Sequence, residues 1–272
     1  MARAKPPSKF ASGTGRGTGP IPNRLTLGID EAGRGPAIGP MVMAAVALDS
    51  RSAAILTRAG LSDSKTYGAG DDAHAIRCEL DQMIRARAKF VIAVEVEHTE
   101  IDERVQRGEL NVLERELAIK MIERAYTELG VLELQLDKII ADGKRMFAPL
   151  CQRFERFESH DRAEEKHAAV AAASVVAKVI RDQRFLAIKQ QYEEELGPIG
   201  GGGYANAATR KWVRAYVEKY GRLPAEARLS WPYPFVIDLI GDVQLKGPQV
   251  ELFASGVLPT DRVLPGDDIL PS

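Results

Sequence analysis

Two carboxylates, Asp30 and Glu31, stand side by side at the end of an apolar stretch, LTLGID, immediately before a glycine-rich turn, AGRGP. The stretch reads as a short strand, and MVMAAVAL at 41–48 reads as a second strand following GPAIGP. Buried acids at a strand end are costly unless something offsets their charge, and a divalent cation does so. Neighbouring strand residues point to opposite faces, so both acids reach one centre only if the chain bends, and Gly33 and Gly35 permit a bend. Acidic residues also end strands for structural reasons alone, so the pair needs support from elsewhere in the chain.

DKIIADG at 137–143 supplies it, an apolar strand that delivers Asp142 into a glycine; Asp137, at the start of the same stretch, is the competing carboxylate. Cys78 and Cys151 are too few and too far apart for a cysteine zinc site or a redox pair, and four histidines leave little for a histidine-rich one. A metal held here would be held by oxygen, which favours Mg²⁺ or Mn²⁺ over zinc or copper. Two such ions roughly 4 Å apart can activate water and stabilise a departing oxygen in phosphodiester cleavage.

The segment 71–89 has helical apolar spacing through Ile76, Leu80 and Ile84, and FVIAVEVE at 90–97 returns to strand character. ELNVLERELAIKMIERAYTEL places Leu113, Leu117, Met121 and Ala125 on one helical stripe beneath a solvated charged face, with Gly130 closing the helix. After 143 the chain is expected to loop through Pro149, and a long helix follows over about 166–196. Its small-residue run AAVAAASVVA at 168–177 is half the roughly 20 residues of a bilayer crossing, and a buried helix fits it better. Another helix is expected over about 206–220. Strands alternating with helices give an α/β class, a mixed sheet covered by helices.

Residues 1–24 carry five basic and no acidic residues among Gly, Pro and Ser, and read as a flexible arm. The core then runs over 25–222, with a helical and irregular C-terminal extension over 223–272. The N-terminus has no apolar signal core, which sets a cytoplasmic, reducing location as the expectation. With 37 Lys and Arg against 38 Asp and Glu, the chain does not grip nucleic acid by bulk charge, although a local basic cleft is compatible with that balance.

GRGP at 33–36 completes neither a dinucleotide fingerprint nor a phosphate loop. Beside the carboxylates, its glycines would let a polymer backbone approach while Arg34 contacts phosphate. DSK at 63–65 and the basic segment with Arg210, Lys211, Arg214, Lys219 and Arg222 are further phosphate candidates, with solvated surface as their ordinary alternative. Tyr204 lies among glycines, where an aromatic ring can stack on a sugar or base, or simply pack.

In combination and order, GIDEAGRGPAIGPMVMAAVAL (28–48), LSDSK (61–65), DKIIADG (137–143) and VAAASVVAKVIRD (170–182) resemble the type 2 ribonuclease H family, ribonuclease HII. EIDERVQRGELNVLE (100–114) and GGGYANAATRKW (201–212) support the match, which spans most of 25 to about 231. The GGGY segment and RLSW at 228–231 are more similar to archaeal and eukaryotic members. The resemblance implies an RNase H-like fold and a metal-dependent endonuclease that cuts the RNA strand of RNA/DNA hybrids and cuts beside ribonucleotides embedded in duplex DNA. It implies Asp30, Glu31 and Asp142 as the first three acids. Gly33, Arg34 and Gly35 resemble the loop that meets the 2′-hydroxyl and adjoining phosphate, Lys65 a phosphate-facing lysine, and Tyr204 the tyrosine that stacks on the sugar at the RNA-to-DNA junction. The fourth acid, an Asp in the family, falls ten residues before Ser174 on Glu164, with Asp161 as the competing position. Ser174 and its alanine-rich surroundings would let the helix approach the sheet closely and support the carboxylates.

These expectations amount to Mg²⁺- or Mn²⁺-assisted phosphodiester hydrolysis by a monomer acting on nucleic acid, with no membrane partner. The competing readings are a divergent nuclease of this fold with altered metal or substrate preference and a non-catalytic nucleic-acid-binding subunit.

Overall fold

The computed structural model describes residues 24–62, 67–68, 71–130 and 136–241. Strands β1 (Leu25–Ala32), β2 (Met41–Asp49), β3 (Phe90–Val96), β4 (Leu136–Asp142) and β5 (Phe157–His160) form one five-stranded sheet in the order β3-β2-β1-β4-β5. β2 lies antiparallel to β1 and β3, whereas β4 is parallel to β1 and to β5. The helices are α1 (Ser50–Arg58), α2 (Asp71–Arg87), α3 (His98–Gln106), α4 (Leu110–Leu129), α5 (Lys144–Phe147), α6 (Ala168–Leu196), α7 (Ala207–Tyr220) and α8 (Ile237–Ile240).

Side-chain alternation along the two central strands builds two cores. Leu27, Ile29, Met43 and Ala45 pack with Ile101 of α3, the Leu113–Leu117–Met121–Ala125 stripe of α4 and Phe147 of α5. Val42, Ala44, Val46 and Leu48 pack on the opposite face with Leu56 of α1, Leu80 and Ile84 of α2 and the alanine-rich half of α6. Gly130 ends α4 in a left-handed conformation, φ 61°, as its position implies. A third apolar cluster beyond the strand ends joins Ala37 and Ile38 to Phe185 and Ile188 of α6, Trp212 and Tyr216 of α7, and Leu223, Ala227, Tyr233 and Val236. Residues 223–236 are thus built into the same body as the sheet.

Three local expectations are corrected. Ile76 is 42% exposed, because the inward stripe of α2 runs through Ala73, Arg77, Leu80 and Ile84, one position further round the helix. Arg77 is accommodated there by Asp182, 3.5 Å away on α6. The stretch after Gly143 is no simple loop: α5 and a 3₁₀ turn, Ala148–Gln152, bury Phe147 and Leu150. It leads into β5, whose four residues FESH carry too little apolar pattern to be read as a strand. The charged face expected for α4 is interrupted by Glu114, which is 0% exposed.

α6 lies on β1 with almost nothing between the two backbones. A Cβ added to Gly28 would stand 2.1 Å from the carbonyl carbon of Ala169 and 2.2 Å from the amide nitrogen of Val170. Both clashes are with backbone, which no rotamer change relieves. Gly28→Ala is therefore expected to destabilise the fold by about 3 kcal/mol or more, read as a lowered urea midpoint; a midpoint within error of wild type would show that α6 can retreat from the sheet.

Candidate active site

Ile29 is paired with Ala141 in the parallel ladder, so Asp30 and Asp142, the next residue of each strand, leave the sheet at the same end. Asp30 faces α6, where the Ser174 hydroxyl donates to its carboxylate, and its Oδ1 accepts the Glu31 N–H at 2.8 Å. Glu31 alternates to the other face, toward Glu114 and Arg34. The strand does not bend between the two acids; it continues to Ala32. Both lie at its rim, where the negative charge of Asp142 acts on each.

Glu164 is buried in the 3₁₀ turn Ala163–Glu165, entered through Arg162 at φ 59°. The Ala163 N–H donates to Asp142 Oδ1 at 2.8 Å, which docks this turn on the third acid. Asp161 is exposed and accepts the Lys144 N–H at 2.8 Å, facing the start of α5. Asp137 sits at the far end of β4, about 17 Å from Asp142 at strand rise, with Arg24 3.8 Å away. Of the competing carboxylates, Asp142 ends its strand beside Asp30, and Glu164 lies in the turn that docks on Asp142, whereas Asp137 and Asp161 face elsewhere.

Burial, reinforced by Glu31 and Asp142, pushes the Asp30 carboxyl well above the usual carboxylate range. Burial and then Glu114 push Glu31 up to about 7, against the opposing pull of Arg34. Burial also raises Glu114, which Arg34 partly offsets. Among the described residues, no three Asp, Glu, His or Cys side chains stand close enough as they are to enclose an ion. The donor chemistry nevertheless fits a hard divalent cation: the donors are carboxylates, and Glu31 Oε2 is a buried oxygen without a hydrogen-bond partner.

The glycine loop adjoins this rim. Gly33 has φ +83°, and a Cβ there would meet the Pro40 carbonyl oxygen at 2.8 Å. Tyr204, 46% exposed, lays its ring against Gly35, 3.5 Å from where a Cβ would stand. Gly33, Gly35 and Tyr204 therefore form one wall. Arg34 is held on α4: its Nε donates to both Glu114 oxygens at 3.0 Å and its Nη2 to Asn111 Oδ1 at 2.6 Å. The guanidinium is anchored on α4 and shows only its outer side to a cleft of about 530 Å³ bounded by Asn111 and Trp231. Lys65 lies outside the described residues. Of the basic segment, Arg214 pairs with Asp238 at 2.8 Å and Lys219 with Glu195 at 2.9 Å, as ordinary surface ion pairs.

Several residues at the site escaped the sequence reading. Glu114 left a signal, a charge in the otherwise apolar row Glu114–Ala118–Ile122. Arg181 left none: buried on α6, it stacks on Phe185, stands 5.9 Å from the Tyr204 ring centroid and donates to the Gly202 carbonyl. Arg228 stands in the family-like RLSW stretch, but nothing there marked it as buried, and it is 0% exposed beneath the loop.

The sequence matches the family model for ribonuclease HII over residues 27–233. It is 34% identical over 212 residues to ribonuclease HII of Pyrococcus furiosus, covering 75% of this chain and 87% of the relative. It is 35% identical over 213 residues to that of Methanothermobacter thermautotrophicus, covering 75% and 95%. Among solved structures, ribonuclease H2 from Pyrococcus horikoshii superposes with a TM-score of 0.64 at 28% identity, covering 82% of this chain and all of that one (100%). The ribonuclease HII in a PCNA complex from Archaeoglobus fulgidus gives 0.62 at 28%, covering 76% and 95%. A Bst ribonuclease HIII in complex with Mn²⁺ shares the fold, with a TM-score of 0.57 at 20% identity and coverage of 82% and 71%.

The rim acids carry a consequence for the protein without divalent cation. Folded Glu31 holds a proton to about pH 7, whereas the unfolded chain releases it near the ordinary value of 4.5. The folded state thus binds more protons across that window, and the raised Asp30 acts in the same direction. Stability must then fall as pH rises through the window. In chelator, the melting temperature is expected to drop by several degrees from about pH 5 to about pH 8, less so in Glu31→Gln; equal slopes in the two proteins would contradict the assignment.

Proposed function

Because the chain belongs to the ribonuclease HII family and is a ribonuclease H enzyme, we propose that it hydrolyses the RNA strand of RNA/DNA hybrids and cuts on the 5′ side of ribonucleotides embedded in duplex DNA. Cleavage leaves a 3′-hydroxyl and a 5′-phosphate. The observation that carries this reading is the junction of two surfaces: an acidic rim of Asp30, Glu31, Asp142 and Glu164, and a wall of Gly33, Arg34, Gly35 and Tyr204 beside it.

Asp30, Glu31, Asp142 and Glu164 are the residues to hold Mg²⁺ or Mn²⁺, which when bound supplies activation of water and stabilisation of the departing oxygen. Ser174 orients the Asp30 carboxylate through its hydroxyl. The side chains missing from Gly33 and Gly35 let a sugar-phosphate backbone come close, and the exposed Tyr204 ring offers a stacking face for the sugar. Only the 2′-hydroxyl distinguishes RNA from DNA at one nucleotide, so this wall carries discrimination. Arg34, through the outer side of its guanidinium, and Lys65, on the strength of the family pattern, contribute phosphate contacts whose share of affinity falls with salt.

The test is direct. With Mg²⁺ or Mn²⁺, the protein is expected to cut both an RNA/DNA hybrid and a duplex carrying one ribonucleotide, with 5′-phosphate on the downstream product. Asp30→Asn is expected to lower turnover by about a thousandfold or more while duplex binding persists. No cut in either substrate with either ion would refute the reading.

A further inference from the structure

Three successive carbonyls of the glycine loop are taken from behind by a segment nearly two hundred residues away in sequence. Arg228 donates from Nη2 to the Gly33 carbonyl at 2.5 Å, from Nη1 to the Arg34 carbonyl at 2.7 Å and from Nε to the Gly39 carbonyl at 3.0 Å. Trp231 Nε1 donates to the Gly35 carbonyl at 3.1 Å. The guanidinium is fully buried and lies 4.9 Å from the Trp231 ring centroid.

This segment is itself fixed by one buried acid. Asp102 of α3 accepts the Leu229 N–H at 2.8 Å, the Ser230 N–H at 2.9 Å and the Ser230 hydroxyl. The chain of contacts therefore runs from Asp102 through residues 229–230 to Arg228, and from Arg228 to the loop. It touches no carboxylate of the rim.

Peptide planarity gives the arrangement its meaning. In a trans peptide the carbonyl and the next N–H point in opposite directions, and the described residues contain no cis bond. Fixing the carbonyls of Gly33 and Arg34 on Arg228 thus turns the N–H groups of Arg34 and Gly35 away from the protein interior. After Gly35 comes Pro36, which has no N–H to present. Two adjacent donors are thereby aimed outward beside Tyr204. One planar fork fixes both, which a lysine cannot reproduce.

We infer that Arg228 and Asp102 are positioning residues for ribose discrimination: they hold the Arg34 and Gly35 amides in the orientation that meets the 2′-hydroxyl, so that the 227–231 segment sets selectivity without touching substrate. The inference rests on the proposed nuclease function. The glycine loop supplies the contact, and its orientation comes from outside the loop.

The experiment compares the full-length wild type with Arg228→Gln, Arg228→Lys and Asp102→Asn. Leu223→Ala, a buried apolar residue of the third cluster, serves as a destabilised control. Each is assayed for kcat/KM on a duplex with one ribonucleotide and on the same duplex with a 2′-fluoro nucleotide, which keeps the sugar shape and replaces the accepting hydroxyl oxygen with a poorly accepting fluorine. Amide hydrogen exchange of the peptide spanning residues 32–36 is followed in parallel. Arg228→Gln is expected to reduce the preference for the hydroxyl by roughly tenfold or more, with faster exchange in that peptide and an unchanged Mn²⁺ concentration for half-maximal activity. Asp102→Asn shifts the same two readouts in the same direction, Arg228→Lys falls between, and Leu223→Ala keeps the wild-type preference. If Arg228→Gln does not fold, Asp102→Asn decides, since it acts on the loop through Leu229 and Ser230 and through its charge on Arg228. An unchanged preference in both variants, or an equal loss in Leu223→Ala, overturns the inference. A wild type that cuts nothing refutes the proposed function instead, and the exchange data then still show whether Arg228 holds the loop.

Discussion

The close approach of α6 to β1 at Gly28 is the contact on which the other features depend. With backbone against backbone, the helix cannot slide or rotate without a steric clash, so the positions of its side chains are set by the sheet. Ser174 then reaches Asp30, and two turns further on the aliphatic stem of Arg181 lies under Gly33 while its guanidinium reaches the Gly202 carbonyl. The helix thus connects the acidic rim to both glycine loops. Alanine, valine and glycine suit this contact because a larger side chain on either element would separate the two backbones.

Charge is segregated around that contact, which a near-zero total conceals. Asp30, Glu31 and Glu114 are gathered near the end of β1, where burial raises all three and neighbouring carboxylates add to the rise at Asp30 and Glu31. Behind the adjacent loops lie Arg181 and Arg228, where burial and the charge of Arg181 lower Arg228 to about 10, still protonated at neutral pH. Arg34 joins the two zones, its guanidinium on Glu114 and its backbone carbonyl on Arg228. The glycine loop therefore lies between the acidic strand ends and the buried arginines, with Arg34 reaching both.

What the sequence disclosed follows from the range of the interactions. Strand ends, the α4 stripe, the Gly130 cap and the buried nature of 168–177 depend on neighbours a few residues away, and those patterns were readable. The four-residue β5 was not, because its place beside β4 is decided by pairing and not by its own polarity. Asp30, Glu31 and Asp142 were legible as acids ending apolar runs, and the resemblance pointed to the rest. The anchoring of Arg34 on Glu114 was not legible, because nothing local reveals that an acid 80 residues away is buried beside it. Arg228 and Asp102 were invisible for the same reason: an arginine in a Pro-rich segment and an aspartate in a charged helix look like surface until tertiary contacts bury them.

Glu164, proposed as the fourth acid, shows how a longer side chain than the family's aspartate can be accommodated. The turn that carries Glu164 is pinned on three sides. Ala163 donates to Asp142, its carbonyl accepts the His167 N–H at 3.0 Å at the start of α6, and its side chain packs with Ile140 and Val170. Arg162 enters the turn in the left-handed region, a conformation that costs on the order of 1 kcal/mol and is retained only where the surroundings enforce it. A backbone so constrained cannot shift to suit a longer side chain. The extra methylene of glutamate, about 1.5 Å of reach, must therefore be taken up by the side-chain rotamer. Burial restricts those rotamers, so the longer arm need not be a looser one, and the carboxylate is placed by the packing around it as much as by the turn beneath.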